Sequence, residues 1–151
     1  MVKAIPDGCQ AITPYLIVTG ASKALAFYVQ AFAAIERERI QDQSGKVRHA
    51  EIAIGAARIM LADEHPEIGA LSPDTVGGSP VNLLLYVEDV DAVVARAAAA
   101  GAKVTRPVAD QFYGDRVGGI TDPFGHHWSI ATHKEDLSPD EIRRRAAAQG
   151  H

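Results

Sequence analysis

The stretch Tyr113-Gly-Asp-Arg-Val-Gly-Gly-Ile-Thr-Asp-Pro-Phe-Gly-His-His-Trp-Ser-Ile130 reads as a β-hairpin with ionisable residues gathered around a tight turn. In Asp122-Pro-Phe-Gly125 the proline presets φ for the first corner, and the glycine takes the positive φ that closes the reversal. Val117 to Thr121 and His127 to Thr132 are short, partly alternating runs suited to the two arms. The hairpin is expected to bring together the adjacent His126 and His127, the Asp115-Arg116 pair and Tyr113. That closeness has three readings: catalysis, ligand binding, or hairpin construction alone.

Working outward, Val81 to Val87 is a continuous apolar strand, and Asp89 or Asp91 caps an alanine-rich helix that stops at Gly101, a good residue just past a helix end. Lys103 to Ala109 is a further strand and Asp110 to Arg116 a loop, so the second half reads β-α-β-β-β. The first half has the same order. Ala11 to Val18 is a strand whose Pro14 cannot donate to a ladder, which predicts an edge position or an open side there. Ala21 to Ala34 carries Leu25, Phe27, Tyr28 and Phe32 at helical spacing, with Ser22 as N-cap. Ile35 to Ile40 and Val47 to Ile54 flank a turn, and Arg58 to Ala62 is the last strand.

Adding 69 to Thr13, Ile35 and Met60 lands on Asn82, Val104 and Ser129, so one shift relates corresponding elements of the two halves. The organisation expected is a first module over residues 11–64, a linker or lid over 65–80, a second module over 81–135, and a C-terminal helix or tail over 136–151. In that last segment Pro139 takes the first helical position, acids fill the first turn, and Arg143-Arg-Arg145 lies toward the negative end. The arginines suit a solvated face or packing against a second subunit.

A chain of 151 residues with formal net charge −4 and 47% hydrophobic residues is large enough for a substantial core. A pI near 5.8, which no run of basic residues overrides, argues against nucleic acid as a partner. Cys9 is the single cysteine, which excludes an intrachain disulfide and a thiolate metal cluster. No apolar stretch approaches the roughly 20 residues needed to cross a bilayer, and the first residues lack a signal peptide's apolar segment. The expectation is a cytoplasmic protein with no membrane association, whose partners are a small molecule and a second copy of itself.

Thr13-Pro-Tyr-Leu-Ile-Val18, Ala26-Phe-Tyr28, His49-Ala-Glu51, Tyr86-Val-Glu-Asp-Val-Asp91, Tyr113-Gly-Asp-Arg116, Asp122-Pro-Phe-Gly-His126 and Trp128 together resemble the vicinal oxygen chelate superfamily of glyoxalases, bleomycin-resistance proteins and dioxygenases. Within it the chain is most similar to the PhnB-like, single-domain members. The resemblance implies an α+β fold of two βαβββ modules in tandem, whose U-shaped, partly open sheets enclose a cavity, and short chains that often dimerise. It also implies that metal-dependent members hold a divalent ion with His or Glu from the first and last strand of each half. Carried onto this chain, those positions are Thr13, Met60, Asn82 and Ser129, none an imidazole or carboxylate. A thioether is a poor ligand for the usual ions.

The first expectation is therefore a cavity without metal or other cofactor that binds a small, largely apolar or aromatic molecule. Met60 and Leu84 would supply apolar contact, and Thr13, Tyr15, Asn82, Tyr86, Tyr113 and Ser129 scattered polar groups. The alternative is a metal-dependent lyase, isomerase or dioxygenase that uses displaced ligands or an acid-base pair drawn from His49, Glu51 and His127, with His133 on the same face as Ser129. Against it stands a plainer reading, in which His49 and Glu51 pair with neighbours such as Arg116. Asp115-Arg116 also has two readings: a salt bridge ordering the loop, with Arg116 fixing the Asp122 turn, or a guanidinium at the cavity mouth that clamps a carboxylate or phosphate.

Overall fold

A computed structural model describes residues 1–151. Two units divide the chain, residues 1–80 with Pro123–His126, and Val81–Asp122 with His127–His151. In the first, β1 (Tyr15–Val18), α1 (Ala21–Phe32), β2 (Ile35–Gln41), β3 (Val47–Ile54) and β4 (Ala57–Asp63) follow one another. They form a sheet in the order β1-β4-β3-β2, with β1 and β4 parallel and the other pairs antiparallel. Pro14 thus precedes an edge strand. The strand begins later than expected because Pro14 lacks an N–H; its carbonyl still accepts from the Met60 amide at 3.0 Å.

Helix α1 buries Ala21, Ala24, Leu25, Phe27, Tyr28, Ala31 and Phe32 on one face. That face meets Leu16, Val18, Ile52 and Leu61, all buried. Each large side chain so placed contributes about 1.5–3 kcal/mol relative to exposure. Ser22 is not the cap. The helix starts at Gly20 (φ 90) with no cap from its own side chains, and the carboxylate of Asp63 accepts instead from the amides of Gly20 at 3.0 Å and Ala21 at 2.8 Å. Its other oxygen accepts from the Val47 amide at 2.8 Å. One acid at the end of β4 therefore satisfies the helix start and the first residue of β3.

The segment expected as a linker or lid is ordered within the first unit. It holds a short 3-10 turn at Pro66–Ile68, a bridge between His65 and Ala70, and α2 (Pro73–Val76). The Ser72 amide donates to Glu64 at 2.6 Å, and the Ser72 hydroxyl lies 2.8 Å from that of Thr19. Also in this unit, the buried ring of Phe124 packs 6.2 Å from Phe27 and 6.4 Å from Tyr28.

The second unit repeats the order: β5 (Asn82–Tyr86), α3 (Val90–Ala99), β6 (Lys103–Asp110), β7 (Asp115–Thr121) and β8 (His127–His133), in a sheet β5-β8-β7-β6. Asp89, the first of the two acids offered as caps, accepts from the Ala92 amide at 3.1 Å. A C-terminal helix, α4 (Pro139–Ala148), has Ser138 as its N-cap, accepting from the Glu141 amide. Arg143, Arg144 and Arg145 are tied to Asp140, Glu141 and Glu135, and Arg145 also donates to the Phe112 carbonyl at 3.2 Å. Of the helices in this architecture, none is long and apolar enough to cross a membrane.

The repeat is exact in the parallel pairs: Tyr15 opposes Met60 and Leu84 opposes Ser129, 69 residues on in both strands. In the third strands it slips by one. Glu51 opposes Met60, but Gly119 opposes Ser129, an offset of 68. The neighbouring edge follows, since Glu38 opposes Glu51 and Arg106 opposes Gly119. A transverse row Tyr15, Met60, Glu51, Glu38 in the first unit thus becomes Leu84, Ser129, Gly119, Arg106 in the second. Side chains alternate across a strand, so one residue of slip decides which groups share a face.

Candidate functional site

In the first unit, Tyr15, His49, Glu51 and Met60 share the sheet face turned away from α1, as their register and the burial of Leu16, Ala50, Ile52 and Leu61 require. The Tyr15 hydroxyl and His49 Nδ1 are 2.9 Å apart, with ring centroids at 5.7 Å. Burial pushes the Tyr15 hydroxyl above its ordinary pKa. Glu51 accepts from Arg58 at 2.7 Å, with Arg37 3.7 Å away. The expected partner was Arg116, but arginines on neighbouring strands of the same sheet take that place. Tyr15 and Ile17 also border a cleft of about 240 Å³ walled by Leu71, Pro73, Val76 and His126.

In the second unit, β5 turns Asn82, Leu84 and Tyr86 outward while Leu83 and Leu85 are partly covered. Leu84 and Tyr86 are 54% and 55% exposed, large values for such side chains in a strand. His127 and Ser129 lie on the same face; Trp128 and Thr132 point the other way, to Asp122 at 2.9 Å and to the Val87 carbonyl and Val90 amide, each at 2.9 Å. Ser129 is 8% exposed. Its Oγ accepts from the Asn82 amide at 2.8 Å and stands 3.5 Å from Nη2 of Arg106. The glycine at 119 gives Arg106 this path across the sheet, because a Cβ there would sit 3.1 Å from the Cβ of Arg106.

At the end of the same face, Asp115 is buried and accepts from the Tyr86 hydroxyl at 2.6 Å. His133 bridges Asp115 at 2.7 Å and Asp136 at 2.7 Å. The bond to Asp115, then that to Asp136, holds the imidazole above its usual pKa. For Asp115, burial alone would raise the carboxyl; the Tyr86 hydroxyl and His133 outweigh it and leave the pKa lowered. A raised His contributes stability below its unfolded pKa, lost as pH rises through the folded value. A lowered Asp contributes above its unfolded pKa, lost as pH falls. The network should therefore stabilise most between about pH 4 and pH 6.5. Urea unfolding of the wild type and His133→Gln should give a stability difference that shrinks from pH 6 to pH 9; a difference that grows over that range contradicts this assignment.

Three of the expected site residues lie elsewhere. Thr13 precedes β1, its hydroxyl 3.4 Å from the Gln10 carbonyl. Tyr113 sits in the loop before β7, edge-on to Phe112 at 5.2 Å. Arg116 neither pairs with Asp115 nor fixes the Asp122 turn; it points to the opposite face and grips Asp91 at 2.8 Å and Asp110 at 3.1 Å. Adjacent strand residues face opposite ways, so Asp115 and Arg116 cannot serve one site. His126 and His127 also diverge: Nε2 of His126 donates to the Ile17 carbonyl, and Nδ1 of His127 meets the Thr121 hydroxyl at 2.8 Å. Arg106 was missed. Its signal in the sequence is faint, a basic residue opposite a glycine, and it becomes visible only with the β6–β7 register.

The residues do not fit the divalent ion that the resemblance attaches to metal-dependent members. In the first unit the position on β4 is a thioether, Met60. In the second, the Asn82 amide donates to Ser129, and a permanently charged guanidinium stands beside that hydroxyl. No three His, Cys, Asp or Glu side chains are grouped so as to hold a metal.

Residues 10–130 match the model of the Glyoxalase/Bleomycin resistance protein/Dioxygenase superfamily. The chain is 41% identical over 143 residues to an uncharacterized protein of Mycobacterium bovis, covering 93% of this chain and 94% of the relative. A solved gene product of Arabidopsis thaliana is similar with a TM-score of 0.66 at 30% identity, over 81% of this chain and 98% of that one. A PhnB protein from Bacillus cereus shares the fold with a TM-score of 0.63 at 20% identity, over 82% of this chain and 99% of that one.

Proposed function

Because this chain belongs to the Glyoxalase/Bleomycin resistance protein/Dioxygenase superfamily, we propose that it binds a small, flat, largely apolar molecule on a sheet face, without the metal centre of the superfamily's metal-dependent members. The observation that carries this reading is β5, which presents Leu84 and Tyr86 to solvent beside the hydrogen-bonding groups of Asn82 and Ser129. An apolar platform next to a few polar groups is what a small-molecule site requires. Binding on such a face asks for no covalent step.

The reading includes a cytoplasmic homodimer. Strands β1, β2, β5 and β6 are sheet edges, and on β2 Ile35 and Ile40 are exposed, so a closed two-fold contact would cover backbone and apolar groups that otherwise face water. One experiment tests both parts: sedimentation velocity with the neutral probe N-phenyl-1-naphthylamine. The probe should travel with a species of twice 16.1 kDa. Absence of co-sedimenting probe would remove the binding reading, and a 16.1 kDa species alone would remove the dimer. Stoichiometric divalent metal in the same sample, lost in His127→Ala, would restore the metal-dependent alternative.

A further inference from the structure

We propose that Arg106, with Ser129 and Asn82, forms an anion anchor, and that the molecule bound on this face is a monoanionic carboxylate with a flat apolar body. This rests on the small-molecule reading of the same face and adds the ligand's charge class. The first support is the state of Arg106 itself. Arg37, Arg39, Arg48, Arg58 and Arg116 each face an acid. Arg106 has no acidic partner, and its contact with Ser129 is long at 3.5 Å. A guanidinium carries five N–H donors in a planar fork that matches a carboxylate, and nearly all of them remain available here.

The second support is the hydroxyl of Ser129. A serine oxygen offers two acceptor sites and one O–H. The Asn82 amide and Arg106 approach as donors, so the O–H has to point to an acceptor elsewhere, and no protein group supplies one. A nearly buried donor without an acceptor is costly, and an oxyanion placed between Ser129 and Arg106 would satisfy it. Third, the equivalent row of the first unit has Glu51 where this one has Gly119, and that acid is neutralised by Arg58 and Arg37. The second unit has lost the internal counter-charge and gained room for an external one.

A single cation suits one negative charge better than a phosphate dianion, and the chain's net charge of −4 further disfavours multiply charged ligands. The exposed Leu84 and Tyr86 take the apolar body. Leu84 lies in the same transverse row as Ser129 and Arg106, so the body and the acid group of the ligand align along that row.

Isothermal titration of the full chain with 2-naphthoate and with neutral, near-isosteric 2-naphthalenemethanol tests the assignment. The wild type should bind naphthoate at least about tenfold more tightly, as a charge-assisted bond implies. Arg106→Gln, a change at an exposed position, should abolish the preference by weakening naphthoate at least about tenfold relative to the alcohol. Equal affinities in the wild type, or a preference that survives Arg106→Gln, would overturn the anchor while leaving the small-molecule reading intact. Binding of neither probe would defeat that reading and the anchor with it.

Discussion

Asp63→Ala should lower stability by about 3 kcal/mol, the summed consequence of removing acceptors from three backbone amides. Gly20 and Ala21 lose the oxygen that ends the exposed run of donors at the start of α1, and Val47 loses the one that begins β3. The negative charge facing the positive end of the helix dipole goes as well. For a chain of this size the expected fall in Tm is roughly 6–12 °C, read by calorimetry. Asp63→Asn should rescue only part of it, because the amide nitrogen replaces one acceptor with a donor facing a donor. A loss below about 1 kcal/mol for the alanine variant would show that water replaces the carboxylate at little cost.

Gly114→Ala should cost roughly 2–4 kcal/mol for two additive reasons. Gly114 has φ 99, in the left-handed region where a Cβ costs about 1–2 kcal/mol. The new Cβ would also sit 2.6 Å from the Glu135 carbonyl oxygen, a backbone atom with little freedom to retreat. That approach exists because the Gly114 carbonyl accepts from the amides of Lys134 and Glu135 at 2.8 and 3.0 Å, which returns the chain after β8 to the loop before β7. Urea denaturation should register the loss as a lower midpoint with an unchanged slope. If the alanine variant matches the wild type within 0.5 kcal/mol, on the scale of an ordinary surface change, the loop has room that this close packing does not suggest.

Elements whose apolar residues recur at a regular period are legible in the sequence alone. Alternation identified Val47–Ile54 to the residue, and the apolar spacing of Leu25, Tyr28 and Phe32 identified α1 and its buried face. The proline before Tyr15 correctly announced an edge strand. The ends of elements are less legible. In a loop over Asp110 to Arg116, Asp115 and Arg116 could pair; with β7 starting at Asp115, their side chains part company. The proposed cap at Ser22 failed for a different reason, since Asp63, which holds the helix start, arrives 42 residues after Ala21.

By itself, then, the chain of residues determined the class of fold and the tandem repeat, because local periodicity and side-chain chemistry are properties of neighbours in sequence. Tertiary structure alone decided that Asp63 would close the first helix, that Glu51 would be neutralised within its own sheet, and that Arg106 would cross Gly119 to Ser129. Each of these depends on strand register. A one-residue difference in pairing, invisible to an alignment of the two halves by a single offset, moves a side chain from one face of a sheet to the other.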